Sequence, residues 1–193
     1  SMTAIRAFIA IDLHSDVQKK LGDVIRQLKP LTGDAVRWVP EYNIHITLKF
    51  LGDTSPANLD ILKKVITSEA ARHAPMELTL TSLGAFPNLR RPRVIWVGVE
   101  APPALAAIQR SIEAETLRLG YATEDRPFSP HLTLGRLSHN ASPDEIRKIG
   151  ELLVRFPAAL NASVTVKTVT LFRSDLLPGG AVYTPIHVAA FRS

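Results

Sequence analysis

The sequence predicts an α+β fold: two β-α-β-α-β lobes whose antiparallel-leaning sheets face each other around a central cleft, with the helices outside. Three observations carry this expectation. A shift of 86 positions places His45-Ile46-Thr47-Leu48 on His131-Leu132-Thr133-Leu134, the mark of an internal repeat. The same offset places Ala7–Ile11 on Arg93–Val97, Leu78-Thr79-Leu80 on Val164-Thr165-Val166, and Phe86 on Phe172. Strand-like and helix-like hydrophobic periods also follow one another in the same order in both halves.

Ile5–Leu13 and its counterpart Arg93–Glu100 are β-rich apolar runs. Ser15–Lys29 then sets Val17, Leu21, Val24, Ile25 and Leu28 at helical spacing. Pro103–Leu119 is the matching helix, closed by Gly120. Proline-bearing loops come next, Trp38-Val39-Pro40 and Arg126-Pro127-Phe128-Ser129-Pro130, followed by the His-x-Thr-Leu strands. Ser55-Pro56 and, with one residue of slippage, Ser142-Pro143 open helices that run to about Ala71 and Phe156. Serine is the N-cap there, and proline the first helical residue. An alternating strand ends each half, Met76–Phe86 or Ser163–Phe172. Leu176–Gly180 reads as a turn and Ala181–Ala190 as a last strand. No low-complexity linker separates the halves. Residues 1–193 are therefore expected to form a single domain, with lobes of roughly 5–90 and 91–190 related by a pseudo-twofold axis.

Composition narrows the chemistry. A chain of 193 residues with 46% hydrophobic content can bury one sizeable core. A mean hydropathy of +0.08 and 21% charged residues describe an ordinary globular chain. With no cysteine there is no disulfide framework, thiolate nucleophile or cysteine zinc site, which suits a cytoplasmic location. The apolar opening Ala4–Leu13 carries Arg6 and Asp12 and reads as a strand rather than a signal peptide. No run approaches membrane-spanning length. Lysine and arginine number 23 against 18 acidic residues, for a net charge of +5, which favours an anionic partner such as nucleic acid. Arg90, Arg91 and Arg93 cluster in one proline-containing segment. A solvated loop is the default reading of that cluster, and steering of a nucleic-acid backbone the functional one.

The paired motifs carry the catalytic expectation. Residues i and i+2 of a strand share a face and lie about 7 Å apart. His45 and Thr47 therefore point one way, as do His131 and Thr133, while Ile46, Leu48, Leu132 and Leu134 point into an apolar layer. A pseudo-twofold would bring two imidazoles and two hydroxyls to one cleft. Histidine titrates near neutrality, so one imidazole can act as base and the other as acid. The threonine hydroxyls can hold non-bridging phosphate oxygens. The set suits phosphoryl transfer without a cofactor or metal. Neither motif has a second ligand at metal-binding spacing, which makes a metallohydrolase a minor alternative. His14, His73, His139 and His187 have no partner motif and are expected to be surface or core residues.

These motifs resemble those of the two-histidine phosphoesterases. Within that superfamily the chain is similar to the bacterial and archaeal 2′-5′ RNA ligase family, also called RNA 2′,3′-cyclic phosphodiesterases. Further stretches that carry the resemblance are Arg6–Ala10, Lys49–Gly52, Phe86-Pro87, Arg93–Gly98, Phe128-Ser129-Pro130 and Gly135-Arg136. The resemblance implies that His45 is the proton donor and His131 the proton acceptor. It implies hydrolysis of an RNA 2′,3′-cyclic phosphate to a 2′-phosphate, with 2′-5′ ligation when a 5′-hydroxyl replaces water. The partner would be an RNA end, with no membrane, and a monomer is the expected state. The resemblance also suggests that Arg136 contacts the phosphate. Strand alternation puts Arg136 on the face opposite His131 unless the strand ends or bulges near Gly135. Lys49 shares the parity of His45 and Thr47 and is a candidate for the cleft. Phe50 and Phe128 flank the motifs and could stack on a base or belong to the core. Two alternatives stay open at this level. One is a phosphodiesterase of a small cyclic nucleotide, an ADP-ribose cyclic phosphate or 2′-5′ oligoadenylate. The other is a non-catalytic module that binds RNA ends.

Overall fold

The computed structural model describes residues 3–156 and 160–193. The described residues form β1 (Ile5–Asp12), α1 (Ser15–Thr32), β2 (Val36–Trp38), β3 (His45–Thr54), α2 (Pro56–Ala70), β4 (Met76–Phe86) and β5 (Val94–Glu100). They continue as α3 (Pro103–Arg118), β6 (His131–Leu137), α4 (Pro143–Arg155), β7 (Ala162–Val166), β8 (Thr168–Leu177) and β9 (Gly180–Ala190).

Local chemistry explains the helices. α1 buries Leu21, Val24, Ile25 and Leu28, the stripe that its periodicity specifies. It runs through Pro30 and ends at Gly33, whose φ of +54° favours glycine. The Ser55 and Ser142 hydroxyls accept from the backbone N–H groups of Asn58 and Glu145. The Glu145 carboxylate also accepts from the Ser142 N–H, completing a capping box at α4.

Two strands depart from the sequence expectation. Val36–Trp38 is not a plain loop but an edge strand paired with β6. Ser163–Phe172 is not one strand: it breaks at Lys167 into β7, which pairs with β4, and β8, which pairs with β1. A single alternating run thus serves two sheets.

Every ladder is antiparallel. One sheet has the order β3-β1-β8-β9 and the other β2-β6-β5-β4-β7. The sheets do not follow the halves 5–90 and 91–190. β4, from the first half, pairs with β5, while β8, from the second, pairs with β1. The exchange preserves register. Phe8↔Phe172 and Ala10↔Thr170 correspond, at the 86-residue offset, to Val94↔Phe86 and Trp96↔Gly84. Likewise Asp12↔His45 and Ala10↔Thr47 correspond to Gly98↔His131 and Trp96↔Thr133. The repeat is therefore one of strand pairing, with β4 and β8 traded between the two sheets.

A continuous apolar core includes Ile9, Ile11, Ile46, Leu48, Leu132 and Leu134. α2 packs against β8, β9 and α3; α3 contacts β3, α1 contacts β2, and α4 contacts β4. Among the described residues no helix is long and apolar enough to cross a membrane.

Candidate active site

His45 and His131 are the first residues of β3 and β6, which approach each other across the cleft. Alternation holds through both motifs. His45, Thr47, His131 and Thr133 are partly exposed, while Ile46, Leu48, Leu132 and Leu134 are buried. Each imidazole is oriented by its own chain. His45 Nδ1 lies 2.6 Å from the Asn43 carbonyl oxygen, and His131 Nδ1 lies 2.8 Å from that of Ser129. A carbonyl only accepts, so Nδ1 carries the hydrogen in both rings and Nε2 is left for other work. His45 Nε2 is 3.0 Å from the Thr47 hydroxyl. One cleft of about 440 Å³ is lined by both histidines, both threonines, Arg136 and Tyr183.

A β-bulge follows each motif threonine. The register steps from Ala10↔Thr47 to Ile9↔Lys49, and from Trp96↔Thr133 to Ile95↔Gly135. Leu48 and Leu134 are the extra residues, and alternation reverses beyond them. Arg136 therefore pairs with Val94, on the face that carries Trp96, and its exposed side chain lines the cleft. The same reversal corrects the parity argument for Lys49. Although Lys49 borders the cleft, its side chain is only 2% exposed, and its ammonium lies 2.6 Å from Glu113 Oε1 on α3. It also donates to the Ala122 carbonyl. Lys49 is thus committed to a buried ion pair rather than presented to a ligand. Phe50 stands at the rim, 63% exposed, its ring centroid 6.1 Å from that of Phe8. Phe128 is half-buried; it packs against the core and also lines the cleft.

The family model described as the 2′-5′ RNA ligase superfamily matches residues 13–176. The chain belongs to the 2′-5′ RNA ligase superfamily. A curated relative from Methanothermobacter thermautotrophicus, named RNA 2′,3′-cyclic phosphodiesterase, is 35% identical over 185 residues, covering 95% of this chain and 97% of the relative. The crystal structure of a protein from Thermus thermophilus matches with a TM-score of 0.81 at 28% identity, covering 97% and 98% of the two chains. That of E. coli LigT complexed with 3′-AMP matches with a TM-score of 0.76 at 29% identity, covering 98% and 99%.

This member of the 2′-5′ RNA ligase superfamily holds its two motif histidines in unequal surroundings. His45 stacks on Phe8 at 4.9 Å and meets Tyr183 edge-on at 5.3 Å. Phe8, Ala10 and Phe172 form a small apolar cluster of their own, with Tyr183 packed against it. His131 meets Phe86 edge-on at 4.9 Å, with Trp96 at 6.4 Å. Burial pushes the His45 imidazole below its ordinary pKa; the bond to the Asn43 carbonyl and the charge of Asp12 oppose that shift. Burial likewise raises the Tyr183 phenol, opposed by the positive charges of Arg136 and Arg6. Among the described residues no group of three or more His, Cys, Asp or Glu side chains is placed to hold a metal ion.

Several cleft residues escaped the sequence reading. Tyr183 comes from β9 and reaches His45 only because β8 and β9 join the sheet of β1. No local pattern marks it. Arg126 lines the cleft from the loop before the second motif; its proline-rich surroundings flagged the loop but not the side chain. Phe86 and Phe172 were visible as a repeat match, though not as neighbours of the histidines. Arg90, Arg91 and Arg93 lie outside the cleft, on the chain between β4 and β5. Three of the remaining histidines bond partners outside the cleft. His14 caps α1, His73 pairs with Glu69, and His187 bonds Thr67.

Proposed function

We propose that the protein hydrolyses RNA 2′,3′-cyclic phosphate ends to 2′-phosphomonoesters, with His131 as general base and His45 as general acid. One observation supports this above all. Two imidazoles from repeat-related strands are each locked through Nδ1 to a backbone carbonyl, leaving two Nε2 atoms for one cleft. The curated relative's name supports the RNA end as substrate, and the 3′-AMP complex of the E. coli neighbour supports a nucleotide in the cleft.

In this reading His131 Nε2 takes a proton from water as the water oxygen attacks phosphorus. The P–O3′ bond breaks, and protonated His45 Nε2 delivers its proton to O3′. The products are a 2′-phosphomonoester and a free 3′-hydroxyl. Thr47 and Thr133 donate to the non-bridging oxygens, and Arg136 offsets their charge. A 5′-hydroxyl in place of water would give a 2′-5′ linkage by the same proton movements. The low pKa of His45 fits the acid role if the incoming phosphodiester anion raises it. A monomer acting on RNA in the cytoplasm completes the reading.

The test is incubation, in EDTA, with an oligonucleotide ending in a 2′,3′-cyclic phosphate. A 2′-phosphate end should appear, and His45→Ala and His131→Ala should each lower the rate by about 10²–10⁴-fold. Full activity in either variant would sink the assignment.

A further inference from the structure

A second concavity lies outside the cleft. It has a volume of about 1020 Å³ and lies between α4 and the chain joining β4 to β5. Five arginines line it, Arg90, Arg91, Arg93, Arg147 and Arg155, against one carboxylate, Glu151. Arg147 is paired with Asp144 and Glu151. Among the described residues the other four arginines make no ion pair, and they are exposed or partly exposed. The floor is apolar and includes Leu89, Ile146 and Val154, with Val154 66% exposed. Unpaired guanidinium groups match the charged backbone of a single-stranded nucleic acid, and their planes can stack on its bases.

The groove and the candidate site share no lining residue but meet along the chain. Phe86, which meets His131 edge-on, lines the cleft, and the next residue, Pro87, lines the groove. The Arg93 N–H donates to the Phe86 carbonyl, and the Arg93 carbonyl accepts from Leu137, one residue past Arg136. Along β6, His131 and Arg136 are five residues apart, about 16 Å of strand. A backbone that leaves the histidines over Arg136 and turns round the chain joining β4 to β5 reaches the arginine groove. The bed of the groove is firm, because the Leu89 carbonyl lies against Gly150 of α4, where a Cβ would come within 2.1 Å of its oxygen.

We propose that this groove binds the single-stranded RNA backbone on the 5′ side of the cyclic end. The proposal rests on the cyclic phosphodiesterase reading. A 2′,3′-cyclic phosphate closes the 3′ terminus, so the whole polymer lies 5′ of the reacting phosphorus. The cleft takes the terminal nucleotide, and the groove makes a polymer a better substrate than a mononucleotide.

The test pairs a binding measurement with a turnover ratio. Fluorescence anisotropy reads the binding of a labelled RNA of roughly ten nucleotides with a 2′-phosphate end, across a salt series. The variant replaces Arg90, Arg91 and Arg155 by alanine together. Those side chains make no ion pair among the described residues, so the fold should hold, and a circular dichroism melt checks it. The variant should bind about tenfold more weakly, with a salt slope shallower by about 2, for three lost phosphate contacts. Its preference for the cyclic-ended RNA over a nucleoside 2′,3′-cyclic monophosphate, taken as a ratio of kcat/KM, should fall in step. Unchanged affinity and slope would overturn the proposal, as would equal losses on both substrates. If the wild-type protein turns over neither substrate, the function reading fails, and the anisotropy arm alone decides the groove.

Discussion

His45 sits beneath Phe8 and Tyr183, and the resulting loss of hydration lowers its pKa. A general acid must be protonated to work, and kcat/KM reports the free enzyme. The alkaline limb of kcat/KM should therefore fall below the ordinary histidine value of about 6.5. The kcat limb should lie at higher pH, because bound phosphodiester favours protonated His45. Profiles on a nucleoside 2′,3′-cyclic monophosphate check the sign. A kcat/KM that stays flat through pH 8 would contradict it. If His45 were the base instead, the depression would move the acidic limb. At this scale the sequence was informative about His45, Thr47, His131 and Thr133, because strand parity within three residues needs no partner. It was silent on Tyr183, whose approach depends on a ladder far along the chain.

Periodicity and capping chemistry made all four helices and the long strands legible at the scale of the element, since stripes and caps are local. The bulges after Thr47 and Thr133 were not, because a bulge is a relation between two strands. They decide the fate of two cations, sending Arg136 to the cleft and Lys49 to the core. Lys49→Met should therefore be costly: it leaves the Glu113 carboxylate buried without its partner, a loss of about 3–5 kcal/mol. Replacing Glu113 by leucine in the same chain should recover most of that stability. Urea denaturation of the single and double variants reads both effects. A single variant as stable as the wild type would show that the inward turn of Lys49 carries no weight. The short β2 and the break at Lys167 were hidden for the same reason as the bulges.

The traded strands govern the molecule as a whole. β1 needs β8 from the second half, and β5 needs β4 from the first. Fragments 1–90 and 91–193 should each lack a cooperative thermal transition, and mixing them should restore one, as read by circular dichroism. Cooperative melting of either fragment alone would show that a half can fold without its traded strand. The sequence by itself determined the repeat, the run of helices and long strands, and the two His-x-Thr motifs, because periodicity, caps and parity act over a few residues. Tertiary structure alone decided which strands share a sheet, on which side of a bulge each cation emerges, and that Tyr183 joins the cleft. Backbone hydrogen bonds between distant strands set those outcomes, and no local window of sequence contains both partners.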